Sequence, residues 1–196
     1  MDGTALLVID MQKGFLSPAS PLYIDGAAAT VPACAEVIGF CRDHGIPVIY
    51  VIRTYRADGS DVERARLAAW EAGGRPLSPG CSAEISAALP DAFGPGDYCV
   101  RKPRYSAFFA TEMDLLLRRL GIRRLILAGT TTPNCVRTTC YDALSLDYGV
   151  TVLSDCTSSR TAEIQESNLR DMSAVGAEVR TARQWMEEQG KGGEKP

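Results

Sequence analysis

The chain of 196 residues contains a single histidine, His44, and no Cys-x-x-Cys pair. Both absences narrow the chemistry. A zinc ribbon needs paired cysteines, and a histidine-built metal centre or a Cys-His nucleophile pair needs histidines that this chain does not have. His44 sits in an Asp-His-Gly turn after a helical segment, where its basic character suits a helix C-terminus. No apolar run approaches membrane-spanning length and no basic-plus-apolar leader opens the sequence. The expectation is a cytoplasmic protein without a membrane partner. A net charge of -3 points to no nucleic-acid partner. Neither G-x-G-x-x-G nor G-x-x-x-x-G-K-[ST] occurs, which removes the glycine-rich nucleotide cradles. No cofactor and no metal are expected. There is no internal repeat, and the only biased segment is the Gly-Lys tail over 190–196, expected to be mobile.

What the chain does have is cysteine: seven, at positions 34, 41, 81, 99, 135, 140 and 156. They are scattered and odd in number, so reduced thiols are expected rather than a disulfide framework. Cys34 and Cys41 lie seven apart on one predicted helix and suit a core stripe.

The length fits one domain with its own core over 1–196. Thr4 to Ile9 is an apolar run of the kind a strand shows when both its faces are covered. It ends at Asp10. A helical stretch over Ala27–His44 leads to a second strand, Pro47–Arg53, and then to a surface excursion over about 54–96 with a helix near Asp61–Glu71. A short strand over Asp97–Arg101 delivers Lys102. A helix over Ala107–Leu120, capped by Ser106 or Thr111, follows. Arg123–Gly129 is the next strand, and the polar turn Thr130–Asn134 runs into a helix over Asn134–Tyr148. Val150–Ser154 with Asp155 at its end, a helix from a Thr161 cap to Val175, a strand over Ala177–Arg180 and a helix over Thr181–Gln189 complete the chain. Alternating strands and helices predict an α/β, three-layer α-β-α fold, with a mostly parallel sheet and helices on both faces.

Asp10, Lys102 and Cys135 each stand just past the C-terminal end of a predicted parallel strand, where open α/β sheets bind ligands. A carboxylate at such a place is costly unless it is paired or useful. Together the three make a nucleophile set: lysine stabilises a thiolate, and the aspartate accepts the thiol proton and later delivers it to a leaving group. A cysteine at a helix N-terminus is expected to ionise more easily than a free thiol.

Three motifs, LLVIDMQKGF, VRKPRYSAF and LAGTTTPNCVRTTCYDALSLDYGVTVLSDCTSS, occur in this order, each at a strand end. In them the chain resembles the isochorismatase-like cysteine hydrolase superfamily over nearly its whole length. The resemblance implies a Rossmann-like, six-stranded, mostly parallel sheet and a catalytic set mapping onto Asp10, Lys102 and Cys135. It also implies a cis peptide joining Thr130 to Thr131, with the N–H groups of Thr131 and Cys135 forming an oxyanion hole. The implied partner is a small-molecule amide or ureide, and the implied assembly a homo-oligomer, either dimer or tetramer. Nicotinamidases of this family carry an Asp and two His after the second strand; here that region reads IRTYRADGSD, which cannot supply such a site. The vinyl-ether-cleaving isochorismatases lack the cysteine that this chain has. The TTPNC turn resembles a subgroup acting on ureides and on the lactam of streptothricin-type antibiotics. By position, Phe15, Arg53, Tyr55, Tyr105 and Phe108 are expected to line the pocket. The expected activity is hydrolysis of a C–N amide, ureide or cyclic-amide bond through a thioester. The alternatives are a vinyl-ether hydrolase and a catalytically silent assembly module.

Overall fold

The computed structural model describes residues 3–80, 89 and 94–191. In chain order the elements are β1 (Thr4–Ile9), α1 (Lys13–Leu16), α2 (Val31–Asp43), β2 (Val48–Arg53), α3 (Arg64–Ala72), β3 (Tyr98–Lys102), α4 (Met113–Arg119), β4 (Arg124–Thr130), α5 (Arg137–Ser145), β5 (Gly149–Ser158), α6 (Ala162–Ala174), β6 (Glu178–Arg180) and α7 (Ala182–Lys191). The strands form one sheet in the order β3-β2-β1-β4-β5-β6, and every pairing is parallel.

β1 shows why its sequence reads as an unbroken apolar run. Ala5, Leu7 and Ile9 pack on one face with Met113 and Leu117 of α4, Cys140 and Ala143 of α5, and Met172 of α6. Leu6 and Val8 pack on the other with Cys34, Val37, Ile38 and Cys41 of α2 and with Ala182 and Trp185 of α7. Successive side chains of a strand point to opposite faces, so a strand covered on both sides must be apolar throughout. Burying each Leu or Ile contributes about 1.5–3 kcal/mol.

After β1 the chain winds outward through β2 to β3, then returns to lay β4 against β1's other edge. The winding direction reverses between β1 and β4, and a crevice opens there beyond the strand ends. Close approach at that point depends on glycine. Gly129 pairs with Ile9 at φ +118, and a Cβ on it would lie 1.9 Å from the Ile9 carbonyl oxygen.

Several boundaries differ from the sequence expectation. The helix expected from Ala107 begins only at Met113, because Ala110 takes a left-handed φ of 54. The preceding hydroxyls are used in turns: Ser106 Oγ accepts from Phe108 N, and Thr111 Oγ1 accepts from Met113 N. β5 continues past Ser154 to Ser158, and Asp155, expected beyond it, lies within the strand and accepts from Ala182 N at the start of α7. The excursion carries a small core of its own, Tyr55, Val62, Trp70 and Leu77; Cys81, also expected there, lies outside the described residues. The tail expected to be mobile from Gly190 lies outside them beyond Lys191, and Gly190 itself is in α7. The six described cysteines are all free thiols. Among the described residues no helix is long and apolar enough to cross a membrane.

Candidate active site

Asp10 directly follows β1, is fully buried and adopts φ 53, a left-handed conformation that Asp and Asn tolerate better than other side-chain-bearing residues. Two backbone bonds hold it there: Asp10 N donates to Val51 O at 2.8 Å, and Gln12 N donates to Asp10 O at 2.8 Å. Lys102 is the last residue of β3, on the same buried face as Val100. β3 lies two strands from β1, so only a long side chain reaches back across the end of β2 to the crevice. The Lys102 ammonium uses three acceptors: Asp10 Oδ2 at 2.8 Å, Arg104 O at 3.2 Å and Cys135 Sγ at 3.4 Å. The Lys102 and Asp10 side chains are both wholly out of solvent. A buried ion pair of this kind seldom stabilises a fold relative to apolar residues of similar size. The other Asp10 oxygen, Oδ1, is buried as well, and a hydrogen bond between the Asp10 and Cys135 side chains helps to hold the thiol in its protonated form.

Cys135 lies in the turn after β4. The turn is wider than the expected helix start: Thr132–Val136 forms a π-type turn in which Val136 N donates to Thr131 O at 3.3 Å, and α5 begins only at Arg137. The Thr130–Thr131 peptide is cis. The extended end of β5 fastens this turn. Ser158 Oγ donates to Thr130 Oγ1 at 3.0 Å, and Thr132 Oγ1 donates to Ser158 O at 3.0 Å. The expectation of an easily ionised thiol is corrected here. Burial first, and then the Asp10 charge, push the Cys135 thiol up from 9.0 to about 11; the Lys102 and Arg53 charges oppose this without overcoming it.

Cys135 opens onto a cavity of about 210 Å³, whose lining includes Phe15, Leu22, Arg53, Arg66, Tyr105 and Arg160. Of the residues expected there by position, the structure places Phe15, Arg53 and Tyr105 in the lining. Tyr55 instead belongs to the α3 core and lines a neighbouring depression with Trp70. Phe108 packs against the core beside Tyr148, with ring centroids 5.9 Å apart. Both corrections have the same cause: an aromatic near a strand end finds apolar neighbours more readily than an open cleft.

Reasoning from sequence missed Gln12, Glu63, Arg66 and Arg160. Gln12 is fully buried and clamps the end of β2, its Nε2 donating to Arg53 O at 2.9 Å and its Oε1 accepting from Arg53 N at 2.8 Å. Its signal was an amide two residues past a strand end in a motif otherwise read for its aspartate. Glu63 pairs with Arg53 and accepts from Tyr55 Oη at 2.8 Å. Burial opposes its ionisation, but the Tyr55 hydrogen bond and the Arg53 charge hold its carboxyl below the usual range. Arg66 donates to Tyr105 Oη at 3.0 Å. Arg160 follows the true end of β5, so placing that end at Ser154 hid it. His44 caps α2, with its Nδ1 2.8 Å from Phe40 O and its ring stacked on Phe40. Among the described residues no group of three or more His, Cys, Asp or Glu is arranged to hold a metal ion.

Comparison with known proteins agrees with this arrangement. The isochorismatase domain model matches residues 4–184. A probable inactive nicotinamidase of Arabidopsis thaliana is 38% identical over 189 residues, covering 94% of this chain and 95% of that protein. The maleamate amidohydrolase of Pseudomonas putida is 32% identical over 189 residues, covering 94% and 85%. The crystal structure of an isochorismatase family protein from Desulfovibrio vulgaris superposes with a TM-score of 0.91 at 40% identity, covering 97% of this chain and all of that one. A parallel sheet with its crevice between β1 and β4, and a match running almost end to end, lead to one conclusion: the chain belongs to the isochorismatase family.

Proposed function

We propose that the protein is a cysteine-dependent hydrolase that cleaves the C–N bond of a small amide, ureide or cyclic amide through a thioester. The observation that carries this reading is the buried Lys102 ammonium, in contact with both the Asp10 carboxylate and the Cys135 sulfur. The maleamate amidohydrolase among the relatives supports an amide as the bond broken.

In the proposed cycle Asp10 takes the proton from Cys135 Sγ, and the new thiolate forms a bond to the substrate carbonyl carbon. Lys102 stays protonated and offsets the charge on whichever of its two partners is anionic. The carbonyl oxygen becomes an oxyanion, which the N–H groups of Thr131 and Cys135 receive; such donors are worth about 10²–10³ in rate. Asp10 then gives its proton to the departing nitrogen as the C–N bond breaks, and ammonia or an amine leaves. Water, deprotonated by Asp10, attacks the thioester. The C–S bond breaks, the sulfur recovers its proton, and the acid departs. Asp10 thus shuttles one proton in each half of the cycle, and general acid–base help of this sort contributes about 10²–10⁴.

A panel of primary amides, ureides and lactams, a streptothricin-type lactam among them, assayed for ammonia or amine release tests the reading. Wild-type protein is expected to turn over at least one member and Cys135→Ala none. Turnover by Cys135→Ala would overturn the nucleophile, and cleavage of a vinyl ether independent of Cys135 would replace the reaction class. We further propose that the protein works as one domain and as a homo-oligomer; a monomer mass in sedimentation would refute the latter.

A further inference from the structure

The cavity over Cys135 holds about 210 Å³, below the range of drug-sized sites, yet it does not stand alone. A second depression of about 250 Å³ lies beside it, over the small core of the excursion. Leu22 and Arg66 line both spaces. Neither residue is fully buried, so the wall between the two spaces reaches the surface, where one ligand can lie across it.

The chemistry of the second depression is that of carbon. Its described lining includes Tyr55, Val62, Ala65, Ala69, Trp70 and Pro76, and Arg66 is the only charged side chain in it. The polar side-chain groups of this lining are committed elsewhere. Tyr55 Oη donates to Glu63 Oε2 at 2.8 Å, and Trp70 Nε1 donates to Pro76 O at 2.8 Å. Arg66 Nη1 donates to Tyr105 Oη at 3.0 Å, and Tyr105 lines the reactive cavity but not the depression. The arginine's charge therefore belongs to the reactive side. The depression is also preformed: the Tyr55 and Trp70 rings pack edge to face at 6.1 Å, Tyr55 N donates to Leu77 O at 3.0 Å and Arg75 N donates to Trp70 O at 2.9 Å. A space of roughly 150 Å³ suffices for a benzene, so this one accommodates a six-membered ring or a short branched chain. A hollow for one ring is far smaller than the roughly 800 Å² a side that a stable protein interface covers. Joined, the two spaces reach the volume of an ordinary ligand site.

From these observations we infer that the substrate carries an uncharged apolar arm, an aromatic ring or a short branched alkyl group, which lies in the depression of Tyr55, Ala69 and Trp70 while the scissile amide meets Cys135. The arm crosses the wall at Leu22 and Arg66. Binding energy gathered there, remote from the bond broken, holds the amide in place over the sulfur. The inference rests on the hydrolase reading and adds the substrate class to it.

The test compares ω-phenylalkanamides of increasing spacer length, and N-(phenylalkyl)acetamides of the same lengths, with the matching amides that lack the ring. The two series place the arm on the acyl side or on the nitrogen. In the better series the best-fitting ring is expected to raise kcat/KM roughly 10- to 100-fold, the worth of taking such a group out of water. Ala69 is exposed on α3 and lines the depression, so Ala69→Phe fills it. In that protein, with folding checked by its thermal transition, the ratio of ringed to ringless amide is expected to fall to about one. Ala65→Phe fills the same space from one turn earlier and serves if the first variant does not fold. Equal kcat/KM for ringed and ringless amides in both series, or a ratio unchanged in the filled variants, would overturn the inference. A changed sedimentation mass in Ala69→Phe with that ratio unchanged would assign the depression to a second copy of the chain and overturn it as well. Cys135-dependent hydrolysis without preference for the ring would sink the inference and leave the hydrolase standing, whereas amide turnover by Cys135→Ala would sink the hydrolase. If none of these amides is hydrolysed, titration calorimetry with Cys135→Ala decides: a 10- to 100-fold preference for the ringed amide supports the inference, and equal or no binding overturns it.

Discussion

Asp10 and Lys102 act on the Cys135 thiol with opposite signs, so removing either one separately makes a demanding test of the electrostatics. In the intact site burial and the Asp10 charge push the thiol up to about 11 against the pull of Lys102. At pH 7 that leaves roughly 100-fold less thiolate than an ordinary thiol of 9.0 would carry. Asp10→Asn preserves the left-handed backbone, which Asn also accepts, and removes the anion. The thiol then falls, and alkylation by iodoacetamide at pH 7 is expected to rise about 10- to 100-fold, since the thiolate is the reactive form. Amide turnover in the same variant is expected to fall by about 10²–10⁴, because the proton carrier is gone. Lys102→Met removes the cation, so the thiol climbs further and alkylation slows by about tenfold. The assay is intact-mass spectrometry of iodoacetamide reactions from pH 6 to 10, corrected with Cys135→Ala for other thiols such as the exposed Cys99. A variant that merely loosened the structure would speed alkylation in both cases. Changes of the same sign in Asp10→Asn and Lys102→Met would therefore refute the reasoning.

Other outcomes follow from the packing. The double variant Asp10→Asn with Lys102→Met should melt at or above the wild-type temperature, as replaced buried ion pairs often gain about 1–4 kcal/mol, while amide hydrolysis disappears; marked destabilisation in calorimetry would show that the pair holds the fold. Gly129→Ala drives a Cβ to 1.9 Å from Ile9 O and should cost about 3 kcal/mol or more, read from urea denaturation midpoints. From neutral pH stability should be flat up to about pH 9 and then decline. Burial holds Cys41 and Cys140 up to about 12 and Cys135 up to about 11, so between pH 9 and 12 the unfolded chain loses protons that the folded chain keeps. Cys41→Ala should make that decline shallower in melts run with reductant.

How far the sequence reveals this molecule depends on whether local pattern or distant contact decides each feature. The strand ends at Asp10 and near Gly129 are legible because β1 and β4 are buried on both faces and read as apolar runs. β5 breaks register with β4 after Val152 and resumes pairing at Thr157 and Ser158, and the polar run Ser-Asp-Cys-Thr-Ser hides that continuation and with it Arg160 beyond. The start of α4 was misplaced because Ala110 turns left-handed, a choice no propensity of alanine announces. Tyr55 and Tyr105 look equivalent by position; only the fold of α3 beneath Glu63 puts the first in a core and the second at the cavity. The thiol is the instructive case. A place near a helix start suggested easy ionisation, and three-dimensional burial beside a carboxylate reversed the sign.

The central claim is that Cys135 carries the acyl group, and rapid quenching of a turning-over amide reaction followed by peptide mass mapping tests it most directly. The account predicts an added acyl mass on the Cys135 peptide that hydroxylamine removes, and its absence from the Cys135→Ala protein together with all turnover. Undiminished turnover by Cys135→Ala, with no adduct at any point in the wild-type reaction, would contradict it.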